Sequence, residues 1–345
     1  MNVTLPANEL KKLAKKLAAV QSEVVSFGNG FACANDGDTG VTVLSSSFND
    51  TPISVNSRLF SSTCNKLTKD VNLFYDSGPL VIKSGKFKAE LPVFHDKAEP
   101  FPVSSLSELE IDSGYFAGLL NYVSQVTNEK ATYDHTGSIQ ISADQLGMVL
   151  TATDNLRVAI VNDTIKHSNF NPLLIPAKVT RVIKELEGLM SISQSDSTIF
   201  FQVGDTTIYT RKSAKKFPNI VNVLPKSYKL VVEINTQEFL ETLNRVSPTI
   251  DPDTDSKVLL SFKDDTLQLQ SGNQQIGQIE DELPILRNAF DEPFNVQIGA
   301  NARFLNQYLT SVKEHDIIVF KSNESGKPFM MQAGNKQILM AGIKI

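Results

Sequence analysis

Six times along this chain a few β-prone residues give way, across one polar residue or proline, to a run with helical spacing. The segments are VTLPANELKKLAKKL from Val3, ISVNSRLFSSTCNKL from Ile53, LEIDSGYFAGLLNYV from Leu109, LLIPAKVTRVIKEL from Leu173, VVEINTQEFLETLNRV from Val231 and VQIGANARFLNQYLTSV from Val296. No other feature constrains the fold as much, because one such unit buries little alone and must pack with its copies. At the strand-to-helix switch stand Asn8, Ser57, Asp112, Pro176, Asn235 and Asn301, residues suited to an N-cap or a first helical turn. Apolar residues follow at helical spacing, as in Leu10, Leu13 and Leu17 or Phe239, Leu240 and Leu243.

Between these runs the chain reads as strands and turns. KSGKFKAEL, SIQISADQLGMVLTATDNLRVAIV, STIFFQVGDTTIYTR and DTLQLQSGNQQIGQI are β-prone stretches broken by Gly, Asp and Asn. The helical runs begin ~50 to 65 residues apart, so two fit each domain-sized block. Phe101-Pro102 and Phe217-Pro218, 116 positions apart, close successive blocks. The expected fold is α+β, with three similar domains at 1–108, 109–226 and 227–345, each carrying two helices on antiparallel sheets.

Charge is segregated onto the helices. The windows 8–20, 57–69, 113–126, 177–190, 236–248 and 301–313 hold thirteen Lys or Arg against five Asp or Glu, a net +8 in a chain whose total is −5. Lys11, Lys12, Lys15 and Lys16 crowd the first; Arg58, Lys66, Lys178, Arg181, Lys184, Arg245, Arg303 and Lys313 follow. The third window has no basic residue, unless Lys130 just beyond it contributes. Lysines on one helix are usually a solvated face. Repeated over several copies, they outline a track for phosphates that is indifferent to base sequence and sensitive to salt.

Catalytic signatures are missing. Gly85-Lys86 and Gly326-Lys327 lack the first glycine of a phosphate loop, since Leu80 and Lys321 occupy that place. Asp251, Asp253 and Asp255 begin like a calcium loop, but Ser256 and Phe262 replace its glycine and bidentate glutamate, so a turn is expected. His95, His135, His167 and His315 have no ligand spacing, and Cys33 and Cys64 make neither a disulfide framework nor a zinc site. No catalytic residue, metal or cofactor is expected. No stretch approaches the ~20 apolar residues of a membrane span, and the N-terminus does not read as a secretory signal, so a cytoplasmic setting is expected.

Four segments carry a family resemblance: Leu80–Leu91 (LVIKSGKFKAEL), Thr151–Ile160 (TATDNLRVAI), Phe217–Lys226 (FPNIVNVLPK) and Ile338–Ile345 (ILMAGIKI). In order and spacing the chain resembles the bacterial β sliding clamp, the processivity subunit of DNA polymerase III. The resemblance implies a head-to-tail homodimeric ring around double-stranded DNA. Lys11, Lys12, Lys15, Lys16, Arg58, Lys66, Lys130, Lys178, Arg181, Arg245 and Arg303 would face the DNA. It also implies an apolar cleft for short peptides of the replicative polymerase, the clamp loader and repair proteins. Carried over by motif, that cleft takes Thr153, Asn155, Leu156, Arg157 and Val158, then Pro218, Asn222 and Val223, then Leu339, Met340, Ala341, Gly342 and Ile343, with His135 at its entrance.

The chain departs from the family at some of these places. Asn155-Leu156-Arg157-Val158 stands where Gly-His-Arg-Leu is frequent, and Ala341 stands where the family often has Met, which enlarges or flattens the pocket. The family's Arg-Pro loop near DNA is not evident around Ser26–Asp36. Two other readings of the residues stay open here: a repeat-built structural or adhesion protein with no DNA role, and a nuclease or polymerase accessory enzyme.

Overall fold

A short polar side chain at the end of a strand lets the backbone turn directly into a helix, and this chain uses that device repeatedly. Asn56 Oδ1 accepts from Leu59 N, Asp112 Oδ1 from Tyr115 N, Asn235 Oδ1 from Glu238 N, and Asn301 Oδ1 from Arg303 N and Phe304 N. The computed structural model describes residues 1–94, 109–128, 135–166, 170, 172–213, 216–250, 256–273, 277–289 and 295–345. Six α-helices lie among them: α1 Ala7–Ala19, α2 Ser57–Cys64, α3 Ser113–Ser124, α4 Val179–Ile183, α5 Thr236–Val246 and α6 Ala302–Ser311. Lys130, His95, His167, Phe101-Pro102 and Asp251, Asp253 and Asp255 lie outside the described residues.

Two of the helices are shorter than the sequence windows suggest. α2 stops at Cys64, and exposed Lys66 and Lys69 follow it towards the strand at Val71. α4 has a single short run because Gly188, at φ +125°, turns the chain into the strand Leu189–Gln194. Asn8 lies inside α1, whose first turn follows Pro6, and Lys178 rather than Pro176 precedes α4.

The chain forms two compact units, residues 1–121 with 167–215 and residues 122–166 with 216–345. In the first, an antiparallel sheet runs in the order Leu109–Asp112, Leu189–Gln194, Thr198–Val203, Thr206–Arg211, Thr39–Leu44, Phe31–Asn35, Val24–Gly28, Ile53–Asn56 and Val93–Phe94. Its two halves come from distant parts of the chain and join at Ile208↔Val41, with Thr39 and Thr210 hydroxyls 3.0 Å apart. A four-stranded sheet, Asn2–Leu5, Val71–Phe74, Leu80–Ser84 and Phe87–Leu91, completes the unit. Leu10, Ala14 and Leu17 of α1 and Phe60 and Cys64 of α2 are buried, and the Phe27 ring lies 5.2 Å from Phe48 and 4.9 Å from Phe60.

The second unit repeats the plan. One antiparallel sheet runs Ser138–Ala143, Met148–Thr153, Arg157–Asp163, Lys336–Met340, Phe329–Ala333, Ile317–Ser322, Leu230–Asn235 and Arg287–Asn288. A four-stranded sheet runs Gly277–Pro284, Thr266–Asn273, Lys257–Lys263 and Asn295–Asn301, and α5 packs beside α6. Phe320 sits in the core between Phe262 and Phe329, at ring distances of 4.7 and 5.1 Å, and is wholly buried. Phe320→Ala is expected to cost about 3–5 kcal/mol of stability, read as a fall in the denaturant midpoint.

Candidate partner cleft and basic helix faces

The cleft is built where two strands from distant segments pair. Arg157–Asp163 runs antiparallel to Lys336–Met340 with Val158 opposite Leu339 and Arg157 opposite Met340. That register puts Val158, Ile160, Leu339 and Met330 together as a small buried apolar cluster, with Val149, Ile220, Leu224 and Tyr228 packed on it. Above it opens a cavity of about 240 Å³ lined by Thr153, Asn155, Leu156, Arg157, Val158, Pro218, Ile220, Val223, Pro328, Leu339 and Ala341. Leu156 and Val223 are 56% and 51% exposed, so they present apolar surface to solvent beside an apolar floor. Apolar lining with a few placed polar groups suits the uptake of short apolar peptide segments.

Local polar contacts hold the wall in shape. Asp154 Oδ1 accepts from Leu156 N at 3.0 Å and Arg157 N at 2.6 Å, while Thr153 Oγ1 donates to Arg157 O and accepts from Asn155 N. Asn155 takes the left-handed conformation, φ +71°, that this tight turn demands. Ile220 lies in a single-turn segment, Ile220–Asn222, capped by Asn219, with Pro218 just before the cap and Val223 just after the turn. The chain end closes the other side: Ala341 N donates to Leu156 O at 2.9 Å, and Ile343 forms a bridge with Gly299 in the strand Asn295–Asn301.

Of the residues assigned to a cleft from sequence, Thr153, Asn155, Leu156, Arg157, Val158, Pro218, Val223, Leu339 and Ala341 line this cavity. His135 lies at its edge, with Nε2 2.8 Å from Asn155 Oδ1. Asn222 sits beside the lining without joining it. Met340 alternates away from Leu339 along the strand and is buried, while Gly342 and Ile343 have already left for Gly299. Ile220 and Pro328 escaped the sequence reading; Ile220 stood within a quoted segment, whereas nothing local marks Pro328.

The basic residues differ in exposure and in the partners they meet. A crevice of about 370 Å³ in the first unit is lined by Lys12, Lys15, Lys16 and Lys184 together with Glu185, Glu187 and Asp205. Lys12 pairs with Glu187 at 3.0 Å and Lys16 donates to Thr206 Oγ1 at 2.9 Å, while Lys15 is exposed and Lys11 half-buried. Arg58 and Lys66 are exposed on and just after α2, Arg303 is exposed in the first turn of α6, and Arg181 is half-buried on α4. Arg245 forms an ion pair with Asp281 and donates to Thr242 Oγ1. The interleaved acids Glu187, Asp205, Asp36 and Asp281 went unnoticed in the sequence because they meet these bases only in the fold.

Lys178 is held 2.6 Å from Asp36, with both side chains partly exposed. Burial alone would raise the Asp36 carboxyl, but the Lys178 ammonium and the N–H groups of Thr39 and Asp38 outweigh it and hold the carboxyl below its usual value. A depressed folded-state value stabilises the protein above the unfolded carboxylate's range and loses that stabilisation as the carboxylate protonates. Lys178→Met is therefore expected to cost about 1 kcal/mol at neutral pH, in the range of a screened pair. Denaturation of both proteins across the acid range should show that difference beginning to shrink near about pH 4 and fading as the pH falls further.

Among the described residues no group of three or more His, Cys, Asp or Glu could hold a metal, and no helix is long and apolar enough to cross a membrane. Burial pushes the thiols of Cys33 and Cys64 up to about 12, which suppresses their thiolates near neutral pH.

Residues 221–341 match the family described as DNA polymerase III beta subunit, C-terminal domain. The beta sliding clamp of Staphylococcus epidermidis is 25% identical over 194 residues, covering 54% of this chain and 49% of that protein. The chain thus spans about half the length of the curated relatives it matches. Among solved structures, the DNA polymerase III beta subunit of Thermotoga maritima superposes with a TM-score of 0.91 at 18% identity, covering 100% of this chain and 99% of that one. The Helicobacter pylori beta clamp bound to DNA ligase peptide matches with a TM-score of 0.82 at 19% identity, covering 100% of both chains. The fold is that of the solved DNA polymerase III beta subunits, and the sequence similarity to that family lies in residues 221–341 and in about half of the chain for the curated relatives.

Proposed function

We propose that this chain is a non-enzymatic DNA sliding clamp that encircles duplex DNA and tethers a replicative polymerase to it. The observation that carries the reading is the clamp fold over the whole chain, at a TM-score of 0.91. On this reading the chain comprises three similar domains, residues 1–108, 109–226 and 227–345, and two chains close head to tail into a ring whose helices face the DNA. Retention is topological, so weak and sequence-blind phosphate contacts from Lys11, Lys12, Lys15, Lys16, Arg58, Lys66 and Arg303 suffice and permit sliding. The ring acts in the cytoplasm. Its cleft takes short apolar peptides of the polymerase, the clamp loader and repair proteins, and the DNA ligase peptide of the H. pylori complex is a ready probe.

Two sheet edges support closure between copies. Phe87–Leu91 ends one four-stranded sheet beside exposed Lys83, Lys86 and Lys88. Gly277–Pro284 ends the other and carries exposed Glu280 and Glu282. Among the described residues both strands end their sheets; Glu90 is paired with Lys88, which leaves Lys83 and Lys86 to make the first edge net positive against the acidic second edge, so the two suit pairing between copies. The test is sedimentation equilibrium followed by retention on plasmid. A species of twice 37.9 kDa that a loader places on circular DNA, and that slips from linearised DNA, is expected. A strict monomer with equal retention on both DNAs would overturn the reading.

A further inference from the structure

Arg157 differs from the other basic residues of the cleft and helix faces in being buried, its side chain only 8% exposed. A buried guanidinium must have its donors satisfied and its charge balanced. Arg157 Nε donates to Asp154 Oδ2 at 2.9 Å, Nη2 lies 2.8 Å from the same oxygen, and Nη1 donates to Gln307 Oε1 at 2.6 Å. Its flat face lies 3.8 Å above the Phe304 ring. Asp154 belongs to the rim turn, whereas Phe304 and Gln307 stand three residues apart on one face of α6. The other oxygen of Asp154 receives the N–H groups of Leu156 and Arg157, which shape the rim. One carboxylate therefore sets the wall of the cleft, and the guanidinium that fixes it is anchored to a helix.

Gln307 is outside the cleft. It lines a separate groove between α5 and α6 together with Asn244, Arg303 and Asn306, and its Nε2 donates to Gln125 O at 2.9 Å. We infer that Arg157 is a positioning residue that couples the cleft rim to α6, so that peptide uptake depends on Gln307. The inference rests on the partner-peptide reading of the cleft. Without the Gln307 acceptor the guanidinium loses one of its buried partners and its hold on Asp154 slackens. Leu156 then has to be ordered when the peptide arrives, which weakens binding without touching the lining. The coupling is reciprocal: a peptide that tightens the rim also fixes Gln307 in the groove beside Arg303.

The test is an anisotropy titration of the labelled ligase peptide against the full chain, Gln307→Ala and Gln307→Glu, with thermal midpoints recorded alongside. Gln307→Ala is expected to bind about tenfold more weakly, the effect of one hydrogen bond to a charged group, with a midpoint lowered by only a few degrees so that the protein stays folded at the titration temperature. Gln307→Glu keeps the acceptor for Arg157 and loses only the donor to Gln125, so it should retain affinity, a rescue that a general packing role would not give. Full-strength binding by Gln307→Ala overturns the inference, as does a Gln307→Glu protein as weak as Gln307→Ala. Absence of binding by the unaltered chain overturns the cleft reading and this inference with it.

Discussion

Removing Ala341–Ile345 is expected to weaken uptake of the ligase peptide by about a hundredfold, through loss of a wall of the cleft and the main-chain bonds that seat it. Ala341 lines the cavity and its N–H holds Leu156 O, so deletion strips one wall and releases the opposite one. The tail is fastened beyond the cleft by Ile343 N to Gly299 O at 2.8 Å and by Lys257 Nζ to Lys344 O at 2.9 Å. None of its side chains is buried, so the truncated protein should unfold within a few degrees of the full chain. A sharper variant leaves the lining intact. A Cβ at Gly299 would stand 2.4 Å from Ile343 O, so Gly299→Ala should push the tail off its strand and reproduce part of the loss. Undiminished affinity in the truncated chain would show that the peptide binds elsewhere.

How legible each feature was depended on the distance over which it is specified. The caps Asn235 and Asn301 and the apolar spacing behind them are local, and α5 and α6 lie within a residue or two of where the sequence places them. α4 was overextended because VTRVIKELEGLMSIS runs from helix into strand without losing its apolar rhythm, and only Gly188 marks the break. The cleft was half legible. Its segments could be matched one by one, but the Val158↔Leu339 register and the arrival of Pro328 are set by pairing across more than 150 residues. Ion pairs were not legible, since Lys12 and Glu187, or Lys178 and Asp36, are brought together only by the sheet that joins distant segments. A count of helical charge therefore overstated the free positive surface.

Reversing Lys11, Lys12, Lys15 and Lys16 to Glu is expected to weaken loading onto circular DNA, and retention there, at physiological salt. The change shifts α1 by eight charges while leaving its buried stripe, Leu10, Ala14 and Leu17, untouched, so the fold should survive. Each phosphate neutralised contributes about −0.9 to the slope of log affinity against log salt, so up to about four units of slope should disappear with the lysines. Part of the effect has a second source, because Glu at position 12 would face Glu187, and Glu at position 16 would share a crevice with Asp205. Lys15→Glu separates the two. Lys15 is exposed and has no acidic partner among the described residues, so its reversal tests the DNA contact alone. Lys178→Met supplies the converse control, since its charge is already spent on Asp36 and its loss should change the slope less than that of Lys15. If the fourfold reversal and Lys15→Glu both leave retention and slope unchanged, α1 does not face the DNA and the proposed role of its lysines fails.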